Sequence, residues 1–512
     1  MEVLYETQTF CPKCTILDRK GLLLRPAQVI AREDGKVYLR CTCDQPHQST
    51  TTTTTSNSNN NIDDDNEPIT NINYFETLYC SSVEFFKRML SFEKNGYQSY
   101  SRDIESIQIK ARETKQPPEV PKKPTPSNFC IELNIFQSNT YLTDNEIKDQ
   151  VNQIQSYYPK NKKFVLKVIA RGSTDIVTIN EKVNYISKEL LRGYPILLEV
   201  TLERLGMIAQ LPNSAFLSTK VYPALKYFLK KGDESMFIQD VNKLLSVLRV
   251  YSGIQSVVTI AMERKFADLK HILSLLRQNN DVIRFIVLSL ERPPKELVSS
   301  LSKKYSNTTS SSNNNNNNTN NQPQEQQEEL ICNNNDPYEL IKEIERATDN
   351  SINNQDFYPL CVGSVLEPMF NLMGYGLFSI RPSAYCAFAT ALINTDSISS
   401  RPINRLYNIG KLHREIEPLL PELEEKIGFF NGLKLKSILK NCHLPNVMLP
   451  NLFDYFTDKN KSEITRKVID QTQILIIHNN MDIVALDLKR RCNCSVETKS
   501  RDGFVSSCTG CI

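Results

Sequence analysis

The sequence of 512 residues holds no apolar run approaching the roughly 20 residues that a membrane-crossing helix requires. Its opening, Met1-Glu2-Val3-Leu4-Tyr5-Glu6, lacks the basic start and apolar stretch of a secretory signal. Charge of one sign is also scarce. With 61 Lys and Arg against 58 Asp and Glu, the net charge is only +3. That balance argues against a dedicated nucleic-acid surface. These absences predict a protein without a transmembrane segment, with no nucleic-acid partner, in the cytoplasm, where thiols stay reduced.

Cysteine is what the chain does have. Its 14 cysteines, in a reducing compartment, point to metal or redox chemistry more than to disulfides. Near the start, Cys11-x2-Cys14 and Cys41-x-Cys43 bracket Asp34-Gly35. At the end, Cys492-x-Cys494 and Cys508-x2-Cys511 bracket Asp502-Gly503. An Asp-Gly pair between β-prone runs signals a tight hairpin, which can bring two cysteine pairs to one centre. Four thiolates in a tetrahedron suit a mononuclear zinc or iron site. The x1 spacing departs from the usual x2, and His47 is a candidate substitute ligand. Structural zinc contributes roughly 10–16 kcal/mol in small finger peptides, enough to hold a region with a thin core.

A length of 512 residues predicts two or three domains. Residues 49–73 are rich in Thr, Ser, Asn and Asp, and 305–335 in Asn, Ser and Gln. Both are expected to be disordered inserts at surface connections. A Pro-rich linker at 115–127 separates an N-terminal region, 1–114, from the rest of the chain. From 128 to 304, β-prone runs at 129–136, 164–170, 195–202, 256–261 and 283–290 alternate with helical patterns at 143–157, 180–192, 221–231, 237–250 and 265–278. Such alternation predicts an α/β fold with a parallel sheet covered by helices, either open or a partial barrel. The last part, 336–512, opens with a helix from Pro337 to about Thr348 and carries a strand at 472–478 before the C-terminal cysteines.

The order of several short motifs resembles one family. Phe10-Cys11-Pro12-Lys13-Cys14, Pro26-Ala27-Gln28-Val29-Ile30, Glu33-Asp34-Gly35-Lys36-Val37-Tyr38-Leu39 and Thr42-Cys43 come first. Phe75-Glu76-Thr77-Leu78, Leu340-Ile341-Lys342-Glu343-Ile344-Glu345, Asp356-Phe357-Tyr358-Pro359 and Arg381-Pro382-Ser383-Ala384-Tyr385-Cys386 come next. His478, Asp487-Leu488, Arg491-Cys492, Asp502-Gly503 and Cys508 close the series. Together they resemble radical S-adenosylmethionine (SAM) proteins of the archaeal tetraether lipid synthase type. The resemblance implies a partial (β/α)6 barrel with cysteine-rich, metal-binding extensions at both ends. It also implies that Cys361, Cys386, Cys492 and Cys508 match cysteines of a C-terminal extension that holds an auxiliary [4Fe–4S] cluster in some members.

The family's chemistry uses a CxxxCxxC loop after the first barrel strand. Here that loop reads Gln137-Ser138-Asn139-Thr140-Tyr141, without a cysteine. The family's Gly-Gly-Glu turn after the second strand is replaced by Ala170-Arg171-Gly172. One nearby thiolate, Cys130, cannot replace three. SAM binding is therefore not expected, and no catalytic residue is assigned. The expected function is a metal-binding pseudoenzyme or scaffold that engages a protein or small-molecule partner. Two alternatives stay open: an active enzyme with an atypical or auxiliary cluster, for which Glu199, Glu203 and Arg204 are the charged residues near the third strand, and a structural zinc protein for protein–protein contact. The assigned metal ligands are Cys11, Cys14, Cys41, Cys43, Cys492, Cys494, Cys508 and Cys511, with His47, Cys361, Cys386 and His478 as auxiliary candidates. Cys80, Cys332 and Cys442 read as ordinary thiols, and Cys130 as a core residue.

Overall fold

A computed structural model describes residues 1–10, 24–43, 73–92, 130–137, 139–157, 164–170, 173–217, 220–229, 232–250, 256–262, 269–290, 336–365, 382–394, 400–406, 472–481, 486–492, 494, 496–500 and 503–506, with isolated positions at 408, 411, 414, 415 and 437. The expected inserts at 49–73 and 305–335 and the linker at 115–127 fall outside these residues, apart from 73 itself.

The N-terminal part is an antiparallel sheet of β1 (Glu2–Phe10), β2 (Leu24–Ala31), β3 (Val37–Cys43) and β4 (Asn73–Cys80), paired in that order. The turn between β2 and β3 is built by its residue types. Arg32 donates its N–H to the Lys36 carbonyl at 3.0 Å, and Gly35 takes φ +76°, where a Cβ would be strained. Asp34 accepts from the Lys36 N–H and the Tyr38 hydroxyl. One face of the sheet buries Ala27, Val29, Val37 and Leu39 against α1 (Val83–Leu90), which contributes Phe85, Phe86 and Met89. The Ser82 side chain caps α1 by accepting the Phe85 N–H at 3.1 Å. The other face carries charge: Glu76 pairs with both Arg32 and Arg40.

The second sheet has 12 strands. Its central strands are β5 (Cys130–Asn134), β8 (Val165–Ile169), β9 (Ile196–Val200), β10 (Val221–Leu229), β11 (Ser256–Met262) and β12 (Ile283–Leu290), parallel and in sequence order. A small hairpin, β6 (Phe136–Gln137) and β7 (Thr140–Tyr141), comes after β5. Between the strands run α2 (Asp144–Tyr157), α3 (Ile176–Tyr185), α4 (Leu202–Ala209), α5 (Glu234–Val250) and α6 (Leu269–Gln278), and α7 (Pro337–Ala347) comes after β12. Each connection steps to the next strand in the same direction. Right-handed crossovers then place the helices on one face. That face is apolar: Leu166, Val168, Ile196, Leu198, Ile286 and Leu288 share one core with α2, α3, α5, α6 and α7. The opposite face is half open, and Phe285 on it is 37% exposed. The fold is thus mixed α/β around a mostly parallel sheet.

Two features differ from the sequence expectation. Within 221–231, read as a helix, Val221–Leu229 form β10. Its Leu, Lys and Ala content suits a helix, but pairing with β9 on one side and β11 on the other satisfies the backbone of a strand buried between them. Pro223 is tolerated within that strand despite its missing N–H. The helix expected at 180–192 begins earlier, because Asp175 caps it by accepting from the Val177 and Thr178 N–H groups, and it ends in a π-helical turn, Ile186–Leu190.

The C-terminal part is not a separate layer. After α7 come β13 (Tyr358–Pro359), β14 (Ala387–Asn394), β15 (Ser400–Pro402), α8 (Ile403–Leu406) and β16 (Thr472–His478). Then come α9 (Leu488–Cys492), β17 (Val496–Ser500) and β18 (Gly503–Ser506). β16 pairs parallel with β12, and β17 pairs parallel with β5, so the chain's last strands flank its first parallel one. β13, β14, β15 and β18 add antiparallel margins. Among the described residues no helix is long and apolar enough to cross a membrane.

Candidate metal centre

Cys11, Cys14, His47, Cys508 and Cys511 lie outside the described residues. Cys43 and Cys492 are placed by their backbones only, at the ends of β3 and α9. Cys41 is buried on β3, on the face that holds Leu39. The C-terminal hairpin is shifted by one residue from the expected Asp502-Gly503 turn, because Ser500 pairs directly with Gly503.

The most complete constellation surrounds Cys386. A turn closes when the Cys386 N–H donates to the Ser383 carbonyl at 2.9 Å, and β14 starts at the next residue. β14 pairs with β13 through Tyr358↔Ala389 and Pro359↔Phe388. That register delivers the 3₁₀ turn Leu360–Val365 to the same end of β14, and the two pack together. Cys361 and Cys386 are both buried there, at 4% and 3% exposure. Asn479, just past β16, locks the turn: its N–H donates to the Cys386 carbonyl at 3.0 Å and its Nδ2 to the Tyr385 carbonyl at 2.9 Å. His478, half-buried at the end of β16, precedes it.

Arg490 enters from α9. Only 2% exposed, it donates Nη2 to the Asn479 carbonyl at 2.6 Å and Nη1 to the Tyr79 hydroxyl at 3.0 Å. Its guanidinium lies 5.6 Å from the Tyr79 ring centre and 5.7 Å from that of Tyr385. Tyr79 passes the connection on to Asp487, donating to its Oδ2 at 2.9 Å. Asp487 is fully buried and also accepts from Tyr5 at 2.6 Å and Thr7 at 2.7 Å. This network clamps β1 and β4 onto α9. Burial alone would weaken the charge on Arg490, but Tyr79, Cys386 and Asp487 together hold it protonated.

Whether these residues suit a metal can be tested on one atom. The Nε–H of Arg490 meets no acceptor among the described residues, although it is buried and close enough to Cys386 for the two to interact electrostatically. A buried donor left unmade costs about 1–3 kcal/mol, and more in a charged group. Cys361 and Cys386 are soft donors of a type that thiolate-bound metals use. Among the described residues alone, no three His, Cys, Asp or Glu side chains converge on one point.

Cys494 has a neighbour that the hairpin spacing does not reveal. It is buried, donates its Sγ to the Val496 carbonyl at 2.9 Å and lies beside Cys130 of β5. Burial, then the Glu132 carboxylate, pushes the Cys130 thiol up to about 12.

A second polar cluster lies on the half-open face of the parallel sheet. Lys167 at the middle of β8 reaches Glu132 of β5 at 3.1 Å and Glu199 of β9 at 2.6 Å. Burial alone would push its ammonium down; the two carboxylates override this and hold it above its ordinary value. Glu199 is thus paired within the sheet. Sequence reasoning offers no partner for it and passes over Glu132 and Lys167. A signal exists: each of the first three parallel strands carries one charged residue amid apolar ones, in FCIELNIF, FVLKVIA and PILLEVTL. Above this cluster, the loop after β5 is closed as the β6–β7 hairpin. The Leu142 N–H donates to the Ile135 carbonyl at 2.9 Å, and Phe136 meets Tyr141 edge to face.

In comparisons with known proteins, the chain matches no protein-family model and no curated protein sequence.

Proposed function

We propose that this chain is a metal-binding scaffold on a radical SAM-type partial (β/α)6 barrel that has given up SAM-cluster chemistry. The carrying observation is the end of β5, where such a protein would place three cluster thiolates. Here the chain is turned back as the thiol-free hairpin β6–β7, with Asn139 at φ +62°. The charges beneath it are spent on each other in the Glu132–Lys167–Glu199 set. The sequential parallel order of β5 and β8 to β12 supports the barrel reading. The buried thiols of Cys361 and Cys386 support a metal centre in the C-terminal part, for which an auxiliary iron–sulfur cluster and a zinc or iron thiolate site are the two occupants. The cysteines of β3 support a second, mononuclear site. Its partner, a protein or a small molecule, is proposed to bind at the old barrel mouth.

The test is protein purified without air, assayed for zinc, iron and sulfide, then given dithionite and SAM. The expected result is bound metal without 5′-deoxyadenosine. Robust formation of 5′-deoxyadenosine refutes the loss of SAM chemistry, and absence of every metal refutes the scaffold reading. Zinc without sulfide identifies structural zinc sites, whereas iron with sulfide identifies an inherited cluster.

A further inference from the structure

The two oxygens of Asp487 are used differently. Oδ1 accepts from the Thr7 hydroxyl and from the Lys489 and Arg490 backbone N–H groups, which fixes the carboxylate in place. Oδ2 accepts from two phenols, Tyr5 at 2.6 Å and Tyr79 at 2.9 Å. Both distances lie within the reach at which a carboxylate takes a proton from a reacting group, roughly 2.6–3.2 Å. A phenol that loses an electron becomes a far stronger acid, so its oxidation is easiest where a base already holds the hydroxyl proton. Burial, then the Asp487 carboxylate, holds the Tyr5 hydroxyl well above its ordinary value, and burial does the same for Tyr79, so both rest as neutral phenols. Tyr79 is 4% exposed, whereas Tyr5 is half-buried on β1, the margin of its sheet. The Arg490 guanidinium, 5.6 Å from the Tyr79 ring centre, opposes a second positive charge there and so favours loss of electron and proton together. Tyr385 lies 5.2 Å from Tyr79 between ring centres, but its hydroxyl donates to the Tyr79 carbonyl at 3.2 Å, a much weaker base than a carboxylate.

We propose that Tyr5, Asp487 and Tyr79 form a one-electron redox site, which takes an oxidising equivalent from a small radical oxidant of the carbonate-radical or nitrogen-dioxide class and holds it as a neutral tyrosyl radical shared by the two rings. The site needs no metal and goes beyond the scaffold reading. In the first step the oxidant gains one electron from Tyr5 and becomes its anion. The Tyr5 O–H bond breaks, its proton forms an O–H bond to Asp487 Oδ2, and a phenoxyl radical beside a carboxylic acid remains. In the second step Tyr79 gives an electron to the Tyr5 radical. Oδ2 returns its proton to Tyr5 and takes the one from Tyr79, so the charge and proton count of the site are unchanged. Both hydroxyls already point at Oδ2, so the exchange requires little movement of heavy atoms. The contrast within the chain is Tyr38, whose hydroxyl donates to Asp34 at 2.7 Å on the exposed surface. There the proton is lost to water and no second phenol shares the carboxylate oxygen.

The experiment oxidises the full-length protein with a photogenerated ruthenium(III) polypyridyl and follows the tyrosyl radical by electron paramagnetic resonance and transient absorption, in light and heavy water. The wild type is compared with Tyr5→Phe, Tyr79→Phe, the double variant, Asp487→Asn and, as the control, Tyr38→Phe. The wild type is expected to give a long-lived tyrosyl radical that forms more slowly in heavy water. Each single Phe variant should keep a radical on the remaining ring, with an altered hyperfine pattern. The double variant should lose the long-lived signal, and so should Asp487→Asn, which keeps a hydrogen-bond acceptor but not a base. Tyr38→Phe should match the wild type. A wild-type signal in the double variant or in Asp487→Asn overturns the proposal, as does a wild type without a long-lived radical or without a solvent isotope effect. A hyperfine pattern unchanged in Tyr79→Phe refutes the sharing between rings. Should Asp487→Asn fail to fold, the Phe variants, which keep the packing of both rings, and the isotope effect on the wild type still decide.

Discussion

Replacing Asp487 by alanine should separate the two ends of the chain. The carboxylate is fully buried and accepts from Tyr5, Thr7 and Tyr79 at 2.6, 2.7 and 2.9 Å. Its removal leaves three hydroxyls to find new acceptors and leaves the buried Arg490 without the anion that Tyr79 relays to it. Breaking a buried ionic network on one side costs about 3–5 kcal/mol. An ordinary domain has about 5–15 kcal/mol in total, so the loss is a large share. It should be felt first where the clamp acts, at β1 and β4. Amide hydrogen exchange in those strands should accelerate by roughly two to three and a half orders of magnitude, since each 1.4 kcal/mol is tenfold. Exchange in β11 and β12 should rise far less. Glu2→Gln is the control: its pair with Lys87 is exposed at 59% and 46% and should be worth less than about 1 kcal/mol. If Asp487→Ala leaves exchange in β1 and β4 within tenfold of the wild type, the clamp does not hold the sheet and the reasoning is wrong.

The buried charges carry two more expectations. Lys167→Met removes the cation between Glu132 and Glu199 and should cost about 3–5 kcal/mol at neutral pH. A urea-unfolding deficit below about 1 kcal/mol, the worth of an exposed pair, counts against the triad. Asp336 caps α7 and accepts the Ser81 N–H at 2.8 Å, yet burial raises its carboxyl to about 6. The folded state then holds this proton more tightly than the unfolded chain does. Its contribution is greatest below the ordinary Asp value, declines as pH rises to about 6 and is level above that. Denaturation at closely spaced pH values should show this fall, and Asp336→Asn should flatten it; an unchanged slope in the variant assigns the effect elsewhere.

Local pattern made much of the scaffold legible. The strands at 283–290 and 472–478 end where the apolar runs end, and Pro337 with the acidic first turn marks α7. The rest was hidden for physical reasons. β10 is a strand because of its neighbours, not its composition. Lys167 and Glu199 are 32 positions apart, and only the parallel register of β8 and β9 sets them side by side. Periodicity does not report such register. The cysteine hairpins drew attention to pairs close in sequence, whereas Cys361 and Cys386 are brought together by β13 and β14, and Cys494 and Cys130 by β17 and β5. Arg490 carried no signal at all within its run of basic residues, Lys489-Arg490-Arg491.

The pairing of β17 with β5 also sets a schedule for synthesis. β5 forms one margin of the parallel sheet until Val496 can lie against Cys130. At about 5–20 residues per second, a ribosome takes roughly 20–70 s to cover that interval. During it β5 presents an unpaired strand edge rich in apolar side chains, Ile131 and Leu133 among them, and such edges invite pairing with other chains. Nascent chains that stop short of residue 496 keep the edge open permanently. The protein should therefore depend on chaperones late in its synthesis, and truncation of its last few strands should be punished by aggregation more than by loss of any single site.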